Sequence, residues 1–145
     1  MDVQLIIGGA FSGKRNTVRA LHGGDLSWIS AYYEHNLIDW KSYWEKDTAL
    51  VLEGWEQWIM DAIQMDQDDD SIRRSFYSLL LELTEEEGKG DKGIVLIMLD
   101  LGRGIVPVDK QERRLRDLAG WISQDAVKLA DEVYYVWHGL NEQLK

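Results

Sequence analysis

Gly8-Gly9-Ala10-Phe11-Ser12-Gly13-Lys14 is a stretch whose residue types and spacing suit phosphate chemistry. Gly8-x-x-x-x-Gly13-Lys14 is the spacing of a P-loop. Glycines let the backbone curl so that successive N–H groups point at phosphate oxygens. A following helix aims its positive end at the same anion. Lys14 reaches the outer phosphates as a point charge. The usual loop next places Ser or Thr, whose hydroxyl binds Mg²⁺, but here that residue is Arg15. A guanidinium has donors and no lone pair, so it cannot ligate a metal. Nucleotide binding is therefore expected across Gly8, Gly9, Ala10, Phe11, Ser12, Gly13, Lys14 and Arg15. Arg15 places positive charge where the metal usually sits, which favours binding and weakens Mg²⁺-dependent turnover. The alternative for this stretch is a glycine-rich turn without a ligand.

Two carboxylates follow apolar runs. Ala49–Glu53 ends in Glu53, and Ile94–Leu99 is followed by Asp100. An acid after a buried strand is what a P-loop enzyme uses to hold Mg²⁺ or orient a nucleophile. Lys14, Glu53 and Asp100 are thus the candidate catalytic residues, with Glu53 or Asp100 the candidates for Mg²⁺. The alternative role for either acid is to cap the next helix.

These residues need strands and helices to position them. Residues 3–7 read as a buried strand and residues 15–21 as a helix. Residues 22–25, His-Gly-Gly-Asp, are a turn, and Leu26–Ser30 is a second strand. Leu37, Trp40 and Trp44 have helical spacing, which predicts a short helix in the second half of residues 31–47. Ala49–Glu53 is a parallel strand buried on both faces. Trp55, Trp58, Ile59, Ala62 and Ile63 mark one face of a helix, and Ile72, Phe76, Leu79, Leu80 and Leu83 mark another. Asp70 or Ser71 is the expected cap of the latter. Residues 85–91 are an acidic, solvated loop. Ile94–Leu99 is the most apolar run and reads as a strand buried on both faces, followed by a loop over residues 101–108. Asp109 and Glu112 start a helix with capping-box spacing, which continues through Leu115, Leu118, Ala119, Ile122, Ala126 and Leu129. Residues 133–137 are the last expected strand, followed by Gly139 and a polar tail. The alternation predicts a single P-loop-like α/β domain over residues 1–145, with a mostly parallel sheet and helices on both faces. Ligands in such sheets bind beyond the C-terminal strand ends, where Lys14, Glu53 and Asp100 fall.

Composition narrows the function. With 145 residues, 45% of them hydrophobic, the chain suits one packed domain. Its net charge of −10 argues against wrapping nucleic acid, while one local positive loop can still hold a nucleotide. Cysteine is absent, which excludes disulfides and thiolate metal sites. The chain opens into a strand rather than a secretory leader, and no apolar run suits a bilayer span, so a cytoplasmic location without membrane contact is expected.

Several segments together resemble the bifunctional adenosylcobinamide kinase/adenosylcobinamide-phosphate guanylyltransferases. Residues 8–14 resemble that family's Gly-Gly-Ala-Arg-Ser-Gly-Lys-Ser loop. Leu101-Gly102-Arg103-Gly104-Ile105-Val106-Pro107 resembles its Val-Gly-x-Gly-Ile-Val-Pro segment. Arg114, Arg116-Asp117, Ala119-Gly120 and Ala130-Asp131-Glu132-Val133 fall where the family has similar residues, and Leu50 to Glu53 resembles its third strand. The resemblance implies a P-loop fold, GTP or ATP as ligand, a corrinoid substrate, a place in cobalamin biosynthesis and a homotrimer. It implies transfer of a γ-phosphoryl group to the aminopropanol hydroxyl of cobinamide, and then of GMP through a histidine. This chain departs from the pattern at four places. Arg15 replaces the loop Ser, Phe11 replaces its Arg, and Leu99-Asp100 stands for an Asn-Glu pair. The segment between the second and third strands is shorter and holds one histidine, His35, without the flanking motif. A lone His needs a positioned partner to act as a nucleophile, so His35 reads as an exposed polar residue and guanylyl transfer as lost. His22 and His138 have no better claim.

Two functions follow. One is a shortened cobinamide-kinase-like phosphotransferase. The other is a non-catalytic paralogue that binds nucleotide or a partner protein in a regulatory or scaffold role. Of the seven tryptophans, Trp55 and Trp58 read as core. Exposure of Trp40 and Trp44 around a cleft would favour a ligand-binding role.

Overall fold

Branched apolar residues without alternation suit a strand covered on both faces, and Ile94–Leu99 forms β4 inside the sheet. The computed structural model describes residues 3–9, 12–85, 92–101 and 108–145. Its six strands are β1 (Val3–Gly8), β2 (Leu26–Ser30), β3 (Ala49–Glu53), β4, β5 (Glu132–Trp137) and β6 (Leu140–Gln143). They lie in the order β2-β3-β4-β1-β5-β6. All neighbours pair parallel except β5 and β6. The α/β fold with a mostly parallel sheet is as the sequence indicates.

Alternation along the strands divides the core. Leu5, Leu50, Leu52, Ile94 and Leu96 face one side. There they pack with α3 (Trp55–Gln64), α4 (Asp69–Glu85) and α5 (Lys110–Leu129), through residues such as Ile59, Leu80 and Ile122. Ile6, Val51, Val95, Ile97 and Val136 face the other side, where α1 (Lys14–His22) contributes Val18. Register brings the functional ends together. Gly8 lies opposite Leu99 on one neighbour and Val136 on the other, and Glu53 lies opposite Ser30 and Ile97.

Two local features differ from the sequence reading. Helix α4 starts at Asp69, and the cap is Asp68, whose carboxylate accepts from the Ser71 N–H at 2.8 Å and the Ser71 hydroxyl at 3.0 Å. Asp68, two residues before Asp70 and three before Ser71, has the better reach to an orphan N–H. Between β2 and β3 a short helix forms in the second half of the segment as read, one turn long, α2 (Trp40–Tyr43), after 3-10 turns at Ala31–Tyr33 and Leu37–Asp39. The polar tail is strand β6. His138 and Gly139 have φ of 47° and 76°, the paired positive angles of a two-residue hairpin turn. All four β6 residues are exposed, so no alternation marked them as a strand.

The other boundaries agree closely. Asp109 caps α5 as read, accepting from Gln111 N–H at 2.8 Å and Glu112 N–H at 3.2 Å. Trp40 and Trp44 are 2% exposed, and the Trp44 indole donates to Thr48 O at 2.8 Å. They fill the core, as do Trp55 and Trp58. The acidic segment 86–91 and most of the loop after Asp100, residues 102–107, lie outside the described residues. Among those described, no helix is long and apolar enough to cross a membrane.

Candidate functional site

The strand–loop–helix unit of residues 3–22 forms in the required order, with β1 leading to α1. Gly13 caps α1 at φ 93°, a left-handed conformation that L side chains rarely adopt. Gly8 is needed for space, because a Cβ there would sit inside contact distance of Val136 O and 2.8 Å from Ser12 Oγ. The β5–β6 turn closes over the loop, with Gly139 N–H donating to Ser12 O at 2.9 Å. Ala10 and Phe11 lie outside the described residues. Lys14 Nζ donates to Gly9 O at 2.6 Å and to Ser12 Oγ at 3.4 Å, so its ammonium is folded back over the loop. Burial lowers its pKa from the ordinary lysine value, and the charges of Glu56 and Glu53 oppose that shift.

Arg15 and Glu53 meet directly. Arg15 Nε donates to one carboxylate oxygen at 2.8 Å and its terminal nitrogen to the other at 2.7 Å. This is the bidentate fork that guanidinium and carboxylate geometry favours. The Glu53 side chain is 4% exposed and that of Arg15 42%, so the acid is enclosed and the cation borders solvent. The hydrogen bond to Glu53 raises the Arg15 pKa above its ordinary value.

Beside the pair lies a cleft of about 580 Å³, lined by Ser12, Lys14, Arg15, Arg19, Tyr32 and Glu53 and floored by Ile97 and Leu99. Three cationic side chains and one carboxylate among these residues give the cleft a positive balance in a chain of net charge −10. Tyr32 donates its hydroxyl to Glu56 at the cleft edge. Burial first, and then the Glu56 contact, raise the Tyr32 pKa, so the phenol stays protonated.

The donor set does not fit the Mg²⁺ ion that such a loop ordinarily shares with its nucleotide. Mg²⁺ takes six oxygen ligands in near-octahedral geometry. Residue 15 supplies none, and both Glu53 oxygens already accept from Arg15. The Thr17 hydroxyl bonds back to Gly13 O at 3.1 Å. A dication there also meets the Arg15 guanidinium, whose charge opposes it, beside a carboxylate already engaged by that guanidinium. Among the described residues, no three His, Asp or Glu side chains are grouped to hold a metal.

Lys14 and Glu53 share the cleft. Asp100 is placed differently. Its N–H donates to Gly8 O at 2.8 Å, which sets it beside the loop. Its carboxylate accepts from the Tyr135 hydroxyl at 3.2 Å, toward β5, and it is not among the cleft-lining residues. His35 is half-buried rather than exposed. Its Nδ1 accepts from Ser30 N–H at 3.1 Å, its carbonyl accepts from the Trp58 indole at 3.0 Å, and its ring stacks on Tyr43. These contacts tie the 31–39 segment to β2 and α3. Arg114 holds Asp69 at 2.7 Å, and Asp131 accepts from Val3 N–H at 2.8 Å, so both join elements to one another.

Sequence reasoning missed Asn16, Arg19, Tyr32 and the two β4 residues of the cleft. Arg19 lies one turn beyond Arg15 on α1, so i, i+4 spacing carried its signal. Tyr32 follows the end of β2, where the strand-end rule applied to Glu53 and Asp100 holds equally.

Comparison with known proteins gives a consistent picture. A family model for cobinamide kinase / cobinamide phosphate guanyltransferase matches residues 25–144, which include Glu53 and Asp100 and begin after the glycine loop. The bifunctional adenosylcobalamin biosynthesis protein CobU of Salmonella typhimurium is 38% identical over 52 residues. That of Escherichia coli is 36% identical over 52 residues. Each match covers 36% of this chain and 29% of the relative.

Proposed function

The chain belongs to the cobinamide kinase / cobinamide phosphate guanyltransferase family, and from that premise we propose that it binds GTP or ATP at Gly8–Lys14 and phosphorylates a cobinamide. In this reading the aminopropanol hydroxyl oxygen bonds to the γ-phosphorus as the bond to the β,γ-bridging oxygen breaks. The hydroxyl proton passes to a carboxylate or to water. The loop N–H groups hold the phosphates. Lys14 exchanges Gly9 O for a phosphate oxygen, and Arg15 and Arg19 offset the charge on the transferring group. Glu53 holds Arg15 in place, and Asp100, which sits beside Gly8 and accepts from Tyr135, orients the acceptor. The guanylyl-transfer half is absent from this reading, because His35 is committed to Ser30 and Tyr43.

The observation that carries the nucleotide site is the junction itself, with Gly13 left-handed at the start of α1 and Lys14 folded over the loop at the mouth of a cationic cleft. Titration of GTP and ATP, followed by tryptophan fluorescence or heat, tests it. Lys14→Ala should weaken binding about a hundredfold, as expected for loss of a charged contact. Equal affinity in the variant would remove the loop from the site. Phosphorylation of adenosylcobinamide by the wild type tests the transfer step.

A second reading, a non-catalytic paralogue with a regulatory or scaffold role, is favoured by the bidentate Arg15–Glu53 pair, which occupies both oxygens of a strand-end acid. Lys14-dependent binding without transfer to any cobinamide would select it.

A further inference from the structure

The Arg15–Glu53 pair bears on which form of the nucleotide this site accepts. In solution a nucleoside triphosphate is offered both as a metal complex and as a free polyanion of higher charge. A P-loop that takes the complex supplies a hydroxyl and an acid to the metal's shell. Arg15 and Glu53 supply neither, because residue 15 is a guanidinium and Glu53 accepts from it at 2.8 and 2.7 Å through both oxygens. Yet the position is not empty of positive charge. Arg15 borders the cleft with 42% of its side chain exposed, and Lys14 and Arg19 border the same cleft. Two of the five guanidinium N–H groups are aimed at Glu53, and the planar fork is held by that pairing.

We infer that the site selects the metal-free triphosphate, with the Arg15 guanidinium, held in place by Glu53, standing where Mg²⁺ would otherwise sit. The inference rests on the nucleotide-site reading above and holds for a kinase or a non-catalytic protein alike. Mg²⁺ brought in on the nucleotide meets Arg15 rather than a ligand, and it cancels charge that the three cations would otherwise neutralise. A buried carboxylate is left satisfied in the free protein, so no metal is needed to stabilise it. Arg15 is a positioning and charge-supplying residue here, and Glu53 acts through it.

The test is calorimetric titration of ATP and of GTP into the full chain in excess EDTA and again in excess Mg²⁺. The expected result is affinity in EDTA equal to or greater than that in Mg²⁺. Tighter binding in Mg²⁺ overturns the inference while leaving the nucleotide site standing. Absence of Lys14-dependent binding in both buffers removes the site reading and the inference with it. Arg15→Ser restores a hydroxyl and frees Glu53, and it should reverse the preference to about tenfold tighter binding in Mg²⁺, a change of about 1.4 kcal/mol. A folded Arg15→Ser protein that still prefers EDTA would assign the effect elsewhere and overturn the role given to Arg15. Should that variant fail to fold, the wild-type comparison decides alone.

Discussion

Two ion pairs in this molecule are nearly the same object in different places. Arg15 grips Glu53 with bonds of 2.8 and 2.7 Å, and Arg73 grips Asp125 with bonds of 3.2 and 3.1 Å. In each the arginine is about two-fifths exposed and the carboxylate enclosed, at 42% and 4% in the first and 40% and 8% in the second. Both arginine pKa values are raised by their partners. The surroundings differ. Arg73 joins α4 to α5 and lies over the Trp121 ring at 5.7 Å. Arg15 stands at the N-terminus of a helix, after a glycine-rich loop, in a cleft with two other cations. A bidentate pair is therefore not by itself a site. Orphan N–H groups and converging positive charge make one of them a candidate for phosphate, whereas the other ties two helices together.

Substitutions test that distinction. The largest effect is expected from Glu53→Gln. It leaves the guanidinium without its counter-charge and should cost about 2 kcal/mol in urea unfolding, a modest value for a buried pair because Arg15 keeps contact with solvent. It should also weaken nucleotide binding, since Arg15 loses its fixed orientation. Unchanged nucleotide affinity would reduce this pair to the same structural role as the other.

Arg73→Met is the counterpart. It should lower the melting temperature by loosening α4 from α5, while nucleotide affinity stays within about twofold, because distant sites act independently. A fall in affinity like that of Glu53→Gln would erase the contrast between the two pairs.

The smallest effect concerns α1 away from both pairs. His22 Nε2 lies 2.6 Å from Gln4 Oε1, and the Gln4 amide nitrogen donates to Glu132 at 3.2 Å, which makes His22 the donor to Gln4. Burial lowers the His22 pKa from 6.5, against the opposing charge of Glu132. The unfolded chain therefore binds the proton more readily than the folded one. Stability from this group is present above pH 6.5 and is lost as pH falls through that value toward the folded pKa. Urea midpoints at about pH 7.5 and about pH 5.5 should differ more for the wild type than for His22→Gln. Equal differences would show that His22 titrates alike in both states. Nucleotide affinity should follow neither change, which separates the back of α1 from its N-terminus.

Much of this architecture was legible in the chain. Strands β2, β3 and β4 were readable to the residue because they are short, apolar and bounded by turns. The left-handed glycine at position 13 and the lysine after it announced the loop, since few other residues accept that backbone. Arg15 was visible as a residue that cannot bind metal. The cap of α4 was misplaced by at least two residues among three consecutive aspartates, whose order does not tell which one reaches the free N–H. Strand β6 was invisible because a fully exposed edge strand needs no apolar alternation. The His35 ring read as exposed, and only packing against Tyr43 and Ser30 made it structural.

Sequence alone determined the residue types at the site and the order of elements that delivers them, because local spacing and chain connectivity are written in one dimension. The tertiary structure decided which groups meet. Arg15 and Glu53 are separated by 38 positions, and only the parallel order β3-β4-β1 brings the start of α1 across to the end of β3. The same topology turns Asp100 toward Tyr135 on β5 rather than into the cleft lining. Both acids follow apolar strands, so nothing in their neighbours along the chain distinguishes them. Strand order and the direction of each side chain from the sheet do, and those are properties of the folded molecule.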